Sequence, residues 1–203
     1  MKIICIGRNY VDHIRELNNA VPASPVFFLK PDSSLLIRNR PFYYPSFSSE
    51  IHYEVELVLK ICKVGKNIQK KFADTYFDEI GIGLDMTARD LQDSAKQKGL
   101  PWTIAKGFDQ SAPIGGFLPK ENFNDLRDIG FHLDLNGKTV QTGNSGLMIY
   151  PFDDIIAYIS KFMTLRTGDY IFTGTPAGVG PVKVGDRLEA YIGDVKLLGC
   201  EIK

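Results

Sequence analysis

The stretch Ile51-His52-Tyr53-Glu54-Val55-Glu56-Leu57-Val58-Leu59 decides the fold. Successive side chains of a strand point to opposite faces. Ile51, Tyr53, Val55, Leu57, Leu59 and Ile61 therefore share an apolar face, and His52, Glu54 and Glu56 share the other. A second apolar run, Gly81-Ile82-Gly83-Leu84, closes on Asp85 and brings a third carboxylate to the mouth of a sheet. Three carboxylates converging from two strands repel one another unless protonated or held by a cation. An all-oxygen donor set suits magnesium, manganese or calcium rather than zinc.

By spacing alone, Glu54 and Glu56 read most simply as the solvated outer face of an edge strand. The text after Asp85 shifts that reading. Thr87-Ala88-Arg89-Asp90 predicts a helix start, with Thr87 as N-cap and Asp90 closing a capping box. Asp85 then lies at a strand-to-helix turn, with Arg89 and Gln92 in the first helical turn beside it.

At 203 residues the chain is expected to form one domain, or a domain with a small appendage. Its 44% hydrophobic and 11% aromatic content is ample for a buried core. Charges balance at 24 against 24, which leaves no electrostatic footprint for nucleic acid or an anionic membrane. No apolar run approaches the roughly 18 residues of a spanning helix. The opening Met1-Lys2-Ile3-Ile4-Cys5-Ile6-Gly7 predicts a first strand rather than a signal peptide. Cys5, Cys62 and Cys200 are scattered, with no CxxC, which argues against disulfides and zinc and fits a reducing compartment. The resulting expectation is a cytoplasmic protein.

After the first strand, Gly7-Arg8-Asn9-Tyr10 reads as a turn leading to a short polar helix over residues 11–17, on which His13 and Glu16 are three apart and side by side. Residues 26–29 predict a short strand, and 31–50 an irregular span of the kind that is more often functional than idle. Residues 100–107 read as extended, with Trp102 near Lys106. Alternation over 131–135, then Asn136-Gly137, predicts a hairpin. Asp153-Asp154 caps an amphipathic helix, and the tail over 170–202 is strand-rich. Strands dominate and nothing alternates as βαβα, so the expected class is α+β with a mixed, largely antiparallel sheet.

Gly174-Thr175-Pro176-Ala177-Gly178-Val179-Gly180-Pro181 lacks the ending of a nucleotide phosphate loop, and its prolines remove backbone donors. Such a turn still presents N–H groups to a small anion, so a carboxylate at Thr175 is plausible. His13 alone reads as a surface histidine, but a neighbouring carboxylate that orients an imidazole is the usual partner of a general base. Lys106 alone reads as solvated. Beside a metal and Trp102 it would stabilise a developing enolate or oxyanion.

Taken together these segments resemble the fumarylacetoacetate hydrolase family, and its short acylpyruvase branch in particular. The matching text includes Gly7-Arg8-Asn9-Tyr10 with His13 and Glu16, Phe28-Leu29-Lys30-Pro31, His52-Tyr53-Glu54-Val55-Glu56-Leu57 and Leu84-Asp85-Met86-Thr87-Ala88-Arg89-Asp90. It continues through Gly99-Leu100-Pro101-Trp102-Thr103, Lys106, Asn136-Gly137, Gln141 and Met148 to the glycine-rich run ending at Pro181.

The resemblance implies a single catalytic domain over 1–203 with a β-sheet roll, a lid near residues 8–20, and a homodimer, for which the aromatic segment 40–47 offers a packing surface. It implies Glu54, Glu56 and Asp85 as ligands of Mg2+ or Mn2+, with His13 and Glu16 activating water. Lys106 and Gln92 would contact a 2-oxo or 2,4-dioxo acid, Arg89 would support the site, Thr175 would hold a carboxylate, and Lys30 is a further candidate for that shell. The implied reaction is hydrolysis of the C3–C4 bond of acylpyruvates to pyruvate and a carboxylic acid, with oxaloacetate decarboxylation open to the same enolate. Oxaloacetate tautomerisation, or hydration or isomerisation of a 2-oxo-alkenoate, is the alternative. A ligand-sensing module without turnover is disfavoured by the His13–Glu16 pair. Gly107-Phe108-Asp109 and Asn144-Ser145-Gly146 depart from the branch and leave the acyl group open.

Overall fold

The computed structural model describes residues 1–16 and 20–203. In chain order the strands are β1 (Ile3–Gly7), β2 (Val26–Lys30), β3 (Leu35–Leu36), β4 (Ile51–Tyr53), β5 (Val55–Ile61), β6 (Phe77–Leu84), β7 (Thr87–Ala88) and β8 (Ala112–Pro119). They continue as β9 (Gly130–Leu135), β10 (Lys138–Asn144), β11 (Tyr170–Phe172), β12 (Gly180–Pro181), β13 (Arg187–Ile192) and β14 (Val195–Glu201). The helices are α1 (Val11–Glu16), α2 (Lys70–Ala73), α3 (Arg89–Lys98), α4 (Thr103–Lys106) and α5 (Phe152–Phe162). The expected reach of the first helix to residue 17, and of the lid to residue 20, falls partly on 17–19, outside the described residues.

A seven-stranded sheet runs in the order β2-β1-β11-β5-β6-β8-β3, antiparallel except where β1 meets β11 and β3 meets β8. A four-stranded antiparallel sheet, β10-β9-β13-β14, and a three-stranded one, β12-β4-β7, complete the curled α+β architecture expected from the sequence. No helix among the described residues is long and apolar enough to cross a membrane.

Strand β5 sits between β11 and β6, so it is not an edge. Leu57, Leu59 and Ile61 face the main core with Ile80, Ile82 and Ile171. Val58 faces a second, smaller core with Ile3, Cys5, Ala112, Ile114 and Phe172. Both faces of the central strand are therefore covered, and the solvated-edge reading of Glu54 and Glu56 is excluded. Gly83 pairs with Glu56 across the ladder, and a Cβ there would meet the Phe172 ring at 2.6 Å. Glycine thus lets the aromatic ring close the small core beside the carboxylates.

Three local expectations are corrected. The run from Ile51 is two strands, because the chain changes sheets at Glu54: β4 pairs with β12 and β7, whereas β5 joins the large sheet. Thr87 is not an N-cap but part of β7, and α3 begins at Arg89 after Ala88, which makes no side-chain cap. Asp90 instead accepts hydrogen bonds from Ser48 Oγ (2.7 Å) and the backbone N–H groups of Ser49 (2.9 Å) and Leu91 (2.8 Å). The segment read as extended over 100–107 turns into α4, with Lys106 N–H donating to the Trp102 carbonyl at 2.9 Å. The hairpin is as expected: Asn136 (φ 53°) and Gly137 (φ 77°) are both left-handed, as a two-residue turn matching strand twist requires.

Candidate metal centre and active site

The sheet change at Glu54 builds the centre. Glu54 lies at the junction of β4 and β5, Glu56 two residues into β5, and Asp85 just past β6. The Asp85 N–H donates to the Glu54 carbonyl at 2.8 Å, which locks the two junctions together. One oxygen from each of Glu54, Glu56 and Asp85 lies within 4.8 Å of the others, and all three side chains are buried.

Three cations surround them. Lys106 Nζ lies 2.8 Å from Glu54 Oε2 and 2.7 Å from Asp85 Oδ2 and also donates to Thr87 Oγ1. Arg89 donates to Glu54 Oε1 through one nitrogen and to Gln92 Oε1 through another. Lys30, fully buried behind Asp85, holds its ammonium 2.7 Å from Asp85 Oδ1 and donates to the carbonyls of Met86 (3.2 Å) and Ser111 (2.9 Å). Among the described residues Glu56 pairs with no cation and accepts only from the Gly174 N–H, at 2.7 Å.

The electrostatics follow. Burial raises the Glu54 pKa, but the charges of Lys106, Arg89 and His13 outweigh it and hold this carboxyl well below its ordinary range. Burial, then the negative charges of Asp85 and Glu54, push Glu56 well above its ordinary value, against the opposing Gly174 bond. Asp85 Oδ1 has the Lys30 contact but no aligned hydrogen bond. Glu56 has no cation within ion-pair distance among the described residues, and one oxygen of each of the three carboxylates lies close to the other two. That donor set fits a hard divalent cation.

Helix α1 covers this centre. His13 is buried, with Nδ1 3.1 Å from Glu16 Oε2. A donor at Nδ1 toward Glu16 leaves Nε2 as the basic nitrogen. The other Glu16 oxygen accepts from Gly178 N–H at 3.0 Å, tying α1 to the loop after β11. The root of α1 is pinned by Asn9, whose Nδ2 donates to the carbonyls of Thr173 (2.8 Å) and Tyr150 (3.0 Å).

Thr175 is buried and accepts from Gln141 Nε2 at 2.9 Å, while Gln141 Oε1 accepts from Val55 N–H at 2.9 Å. Gln141 thereby joins the glycine-rich loop to the start of β5. Sequence reasoning gave it no role. No sequence signal marks it; the register of β10 breaks between Thr139 and Gln141, and the Gln141 side chain is buried. His52, grouped with the two glutamates by alternation, belongs instead to β4 and pairs with Glu50 at 2.8 Å.

A cavity of about 30 Å3 remains. His13, Glu54, Glu56, Asp85, Arg89, Gln92, Lys106 and Thr175 line it, joined by Arg8, Lys96 and an apolar wall of Ile6, Phe28 and Trp102. Lys106 Nζ stands 5.3 Å from the Phe28 ring centroid, and that ring meets Trp102 edge-on. Glu16 and Lys30 do not line the cavity; they act on it through His13 and Asp85.

The model of the family described as "Fumarylacetoacetate (FAA) hydrolase C-terminal" matches residues 2–202. The chain is 47% identical over 192 residues to the oxaloacetate decarboxylase, mitochondrial, of Dictyostelium discoideum, covering 94% of this chain and 88% of that protein. It is 44% identical over 190 residues to the human oxaloacetate tautomerase FAHD1, mitochondrial, covering 94% and 86%. The crystal structure of fumarylpyruvate hydrolase from Pseudomonas aeruginosa in complex with Mn2+ and pyruvate superposes with a TM-score of 0.94 at 36% identity, covering 100% of this chain and 89% of that one. The cytoplasmic expectation is corrected by the first two, both named mitochondrial. Scattered cysteines report redox surroundings, not a membrane-bounded address. With the family model spanning almost every residue, the chain belongs to the fumarylacetoacetate hydrolase family.

Proposed function

We propose that this protein is a Mg2+- or Mn2+-dependent enzyme that interconverts the keto and enol forms of oxaloacetate. The observation that carries the reading is the buried triad of Glu54, Glu56 and Asp85 facing the His13–Glu16 pair across one small cavity. The names borne by the relatives of 44–47% identity support oxaloacetate as substrate. Acylpyruvate hydrolysis, implied by the branch resemblance, has weaker support, because the hydrolase name belongs to a structure at 36% identity.

Glu54, Glu56 and Asp85 would hold the cation, which would supply a Lewis acid to polarise a 2-oxo acid. His13 Nε2 removes a proton from C3, the C3–H electron pair forms the C2–C3 double bond, and charge moves to the C2 oxygen. Lys106 presents its ammonium against that developing charge, where a preorganised cation in a dry site is most effective. Glu16 holds the imidazole in the required tautomer and stabilises the imidazolium. The His13 imidazolium then returns its proton to that oxygen, which completes the enol and restores the base. Thr175, with its hydroxyl fixed by Gln141, and Gln92 orient the acid.

Decarboxylation is a second reading, favoured by the name of the Dictyostelium relative. There the C3–C4 bond breaks, CO2 leaves, and the electron pair flows to the same C2 oxygen that Lys106 faces. His13 as imidazolium then protonates C3 to give pyruvate. A single catalytic domain with a lid at α1, assembled as a homodimer, completes the proposal. Exposed Tyr43 and Phe47 lie in the segment suggested for packing, and light scattering reads the mass.

The deciding experiment gives metal-stripped protein enol-enriched oxaloacetate, with and without Mg2+ or Mn2+, following enol absorbance and pyruvate in parallel. Metal-dependent loss of enol without matching pyruvate supports tautomerisation, and matching pyruvate supports decarboxylation. Inertness toward oxaloacetate with metal-dependent cleavage of acetylpyruvate would return the assignment to hydrolysis.

A further inference from the structure

The inner charges balance in number, Glu54, Glu56 and Asp85 against Lys30, Arg89 and Lys106, although the ion pairs fall on Glu54 and Asp85 alone. Two further cations line the same cavity and lie outside that set, Arg8 and Lys96. They approach from different walls. On α3, Arg89, Gln92 and Lys96 stand at i, i+3 and i+7 and share one face. At 1.5 Å of rise per residue, Lys96 is rooted about 6 Å beyond Gln92, away from the triad. Its side chain leans back toward the helix N-terminus, and so toward Gln92. Its one ion-pair partner among the described residues is Asp93, at 3.4 Å and exposed.

Arg8 comes from the root of α1. It is half-buried, its backbone is left-handed at φ 60°, and Asn9 next to it is clamped on three sides by hydrogen bonds. A left-handed backbone at a non-glycine residue is uncommon and persists where surroundings enforce it. Among the described residues no carboxylate or carbonyl accepts from the Arg8 guanidinium. Of the two acids of α1, Asp12 pairs with Arg15, and Glu16 has both oxygens committed to His13 and Gly178.

We propose that Arg8 and Lys96 form an outer carboxylate clamp that selects 2-oxo dicarboxylic acids over 2-oxo monocarboxylic acids. The proposal rests on the reading that the triad takes the 2-oxo acid end of the substrate. With the C1 carboxylate and C2 oxygen at the triad, the distal carboxylate projects along the Arg89–Gln92–Lys96 stripe. There the two surplus cations neutralise it. A methyl or acyl group in the same place offers neither cation a partner, so only the dicarboxylate gains their charge.

Calorimetry on Mg2+-loaded protein tests this with pyruvate and with 3,3-difluoro-oxaloacetate, which has no C3 proton to lose. The wild type is expected to bind the dicarboxylate at least about tenfold tighter. Lys96→Met and Arg8→Asn, the latter keeping a residue tolerant of left-handed backbone, should each remove most of that preference. The loss should fall on the dicarboxylate, with pyruvate affinity moving less than about threefold, and Lys96→Arg should retain the preference. Equal weakening of both ligands, or no change in either variant, overturns the clamp. A wild type that shows the preference and its dependence on Lys96, yet turns over no oxaloacetate, would leave the clamp standing and sink the proposed reaction. Oxaloacetate turnover with an unaltered preference in both variants would do the reverse.

Discussion

Glu56 is the ligand-set carboxylate that no protein cation faces, and its raised pKa follows first from burial and then from Asp85 and Glu54. To bind a metal it must lose its proton, so cation binding should release protons and weaken as pH falls. Titrations in buffers of different ionisation enthalpy would read that release. Glu56→Gln should lower Mg2+ affinity by about 100-fold or more, since loss even of groups behind a ligand costs 10–100-fold. His13→Ala should lower enolisation by about 100-fold to 10,000-fold, the range for a positioned acid–base group, while Mg2+ affinity holds. At this scale the sequence was legible where chemistry forced residue types together. The E-x-E pair and Asp85 come together as their positions at two strand ends imply, in a buried acidic cluster whose donor set fits a cation. Lys96 and Gln141 carried no such sign: one looks like any helix lysine, and the other is buried where β10 breaks register.

Among the elements, those set by local rules were readable. Asn136-Gly137 forced the hairpin, and the acidic start with spaced apolar residues gave α5. Asn136→Ala should cost about 1–2 kcal/mol in denaturant unfolding, from left-handed strain and loss of its bonds to Asp186 and the Arg187 N–H. Activity should be unaffected, because the turn does not line the cavity. Elements decided by tertiary partners were misread. Thr87 has N-cap chemistry, but its hydroxyl donates to the Asp85 carbonyl at 3.0 Å and accepts from Lys106. The helix signal was overridden by pairing of Thr87 and Ala88 with β4. Likewise α4 forms where the pattern looked extended, and its single turn delivers the Lys106 ammonium to Glu54 and Asp85.

For the whole molecule, the consequence of a buried acidic centre is a stability that depends on both pH and metal. A carboxyl raised in the folded state holds a proton that the unfolded chain releases. Glu56 therefore lowers the stability of metal-free protein as pH climbs from about 4.3, the unfolded value, toward its higher folded value. Glu54 is depressed, so its contribution is present above about 4.3 and lost only in stronger acid. Stripped wild-type protein should thus show a Tm that falls, relative to Glu56→Gln in the same buffers, as pH rises above about 4.3. Mg2+ at 100 times its Kd should add about 2.7 kcal/mol and remove that decline. An identical pH response in wild type and variant would count against the raised carboxyl. The α+β class was legible because strands dominate without alternating helices. The change of sheet at Glu54 was not, since period-two alternation runs unbroken through it while the backbone partners switch.

One detail of α1 reaches further than its size suggests. Among the described residues Glu16 is tied to the rest of the protein, beyond its own helix, by one hydrogen bond from Gly178, while the three clustered carboxylates stand at the β4–β5 junction, in β5 and just past β6. Grip and trigger are thus mounted on different parts of the molecule. If α1 lifts, the proton-handling pair departs with it and the grip stays behind. On the proposed reaction, a protein opened in this way would hold a keto acid, or let an enol escape, without a base at hand to drive it backward.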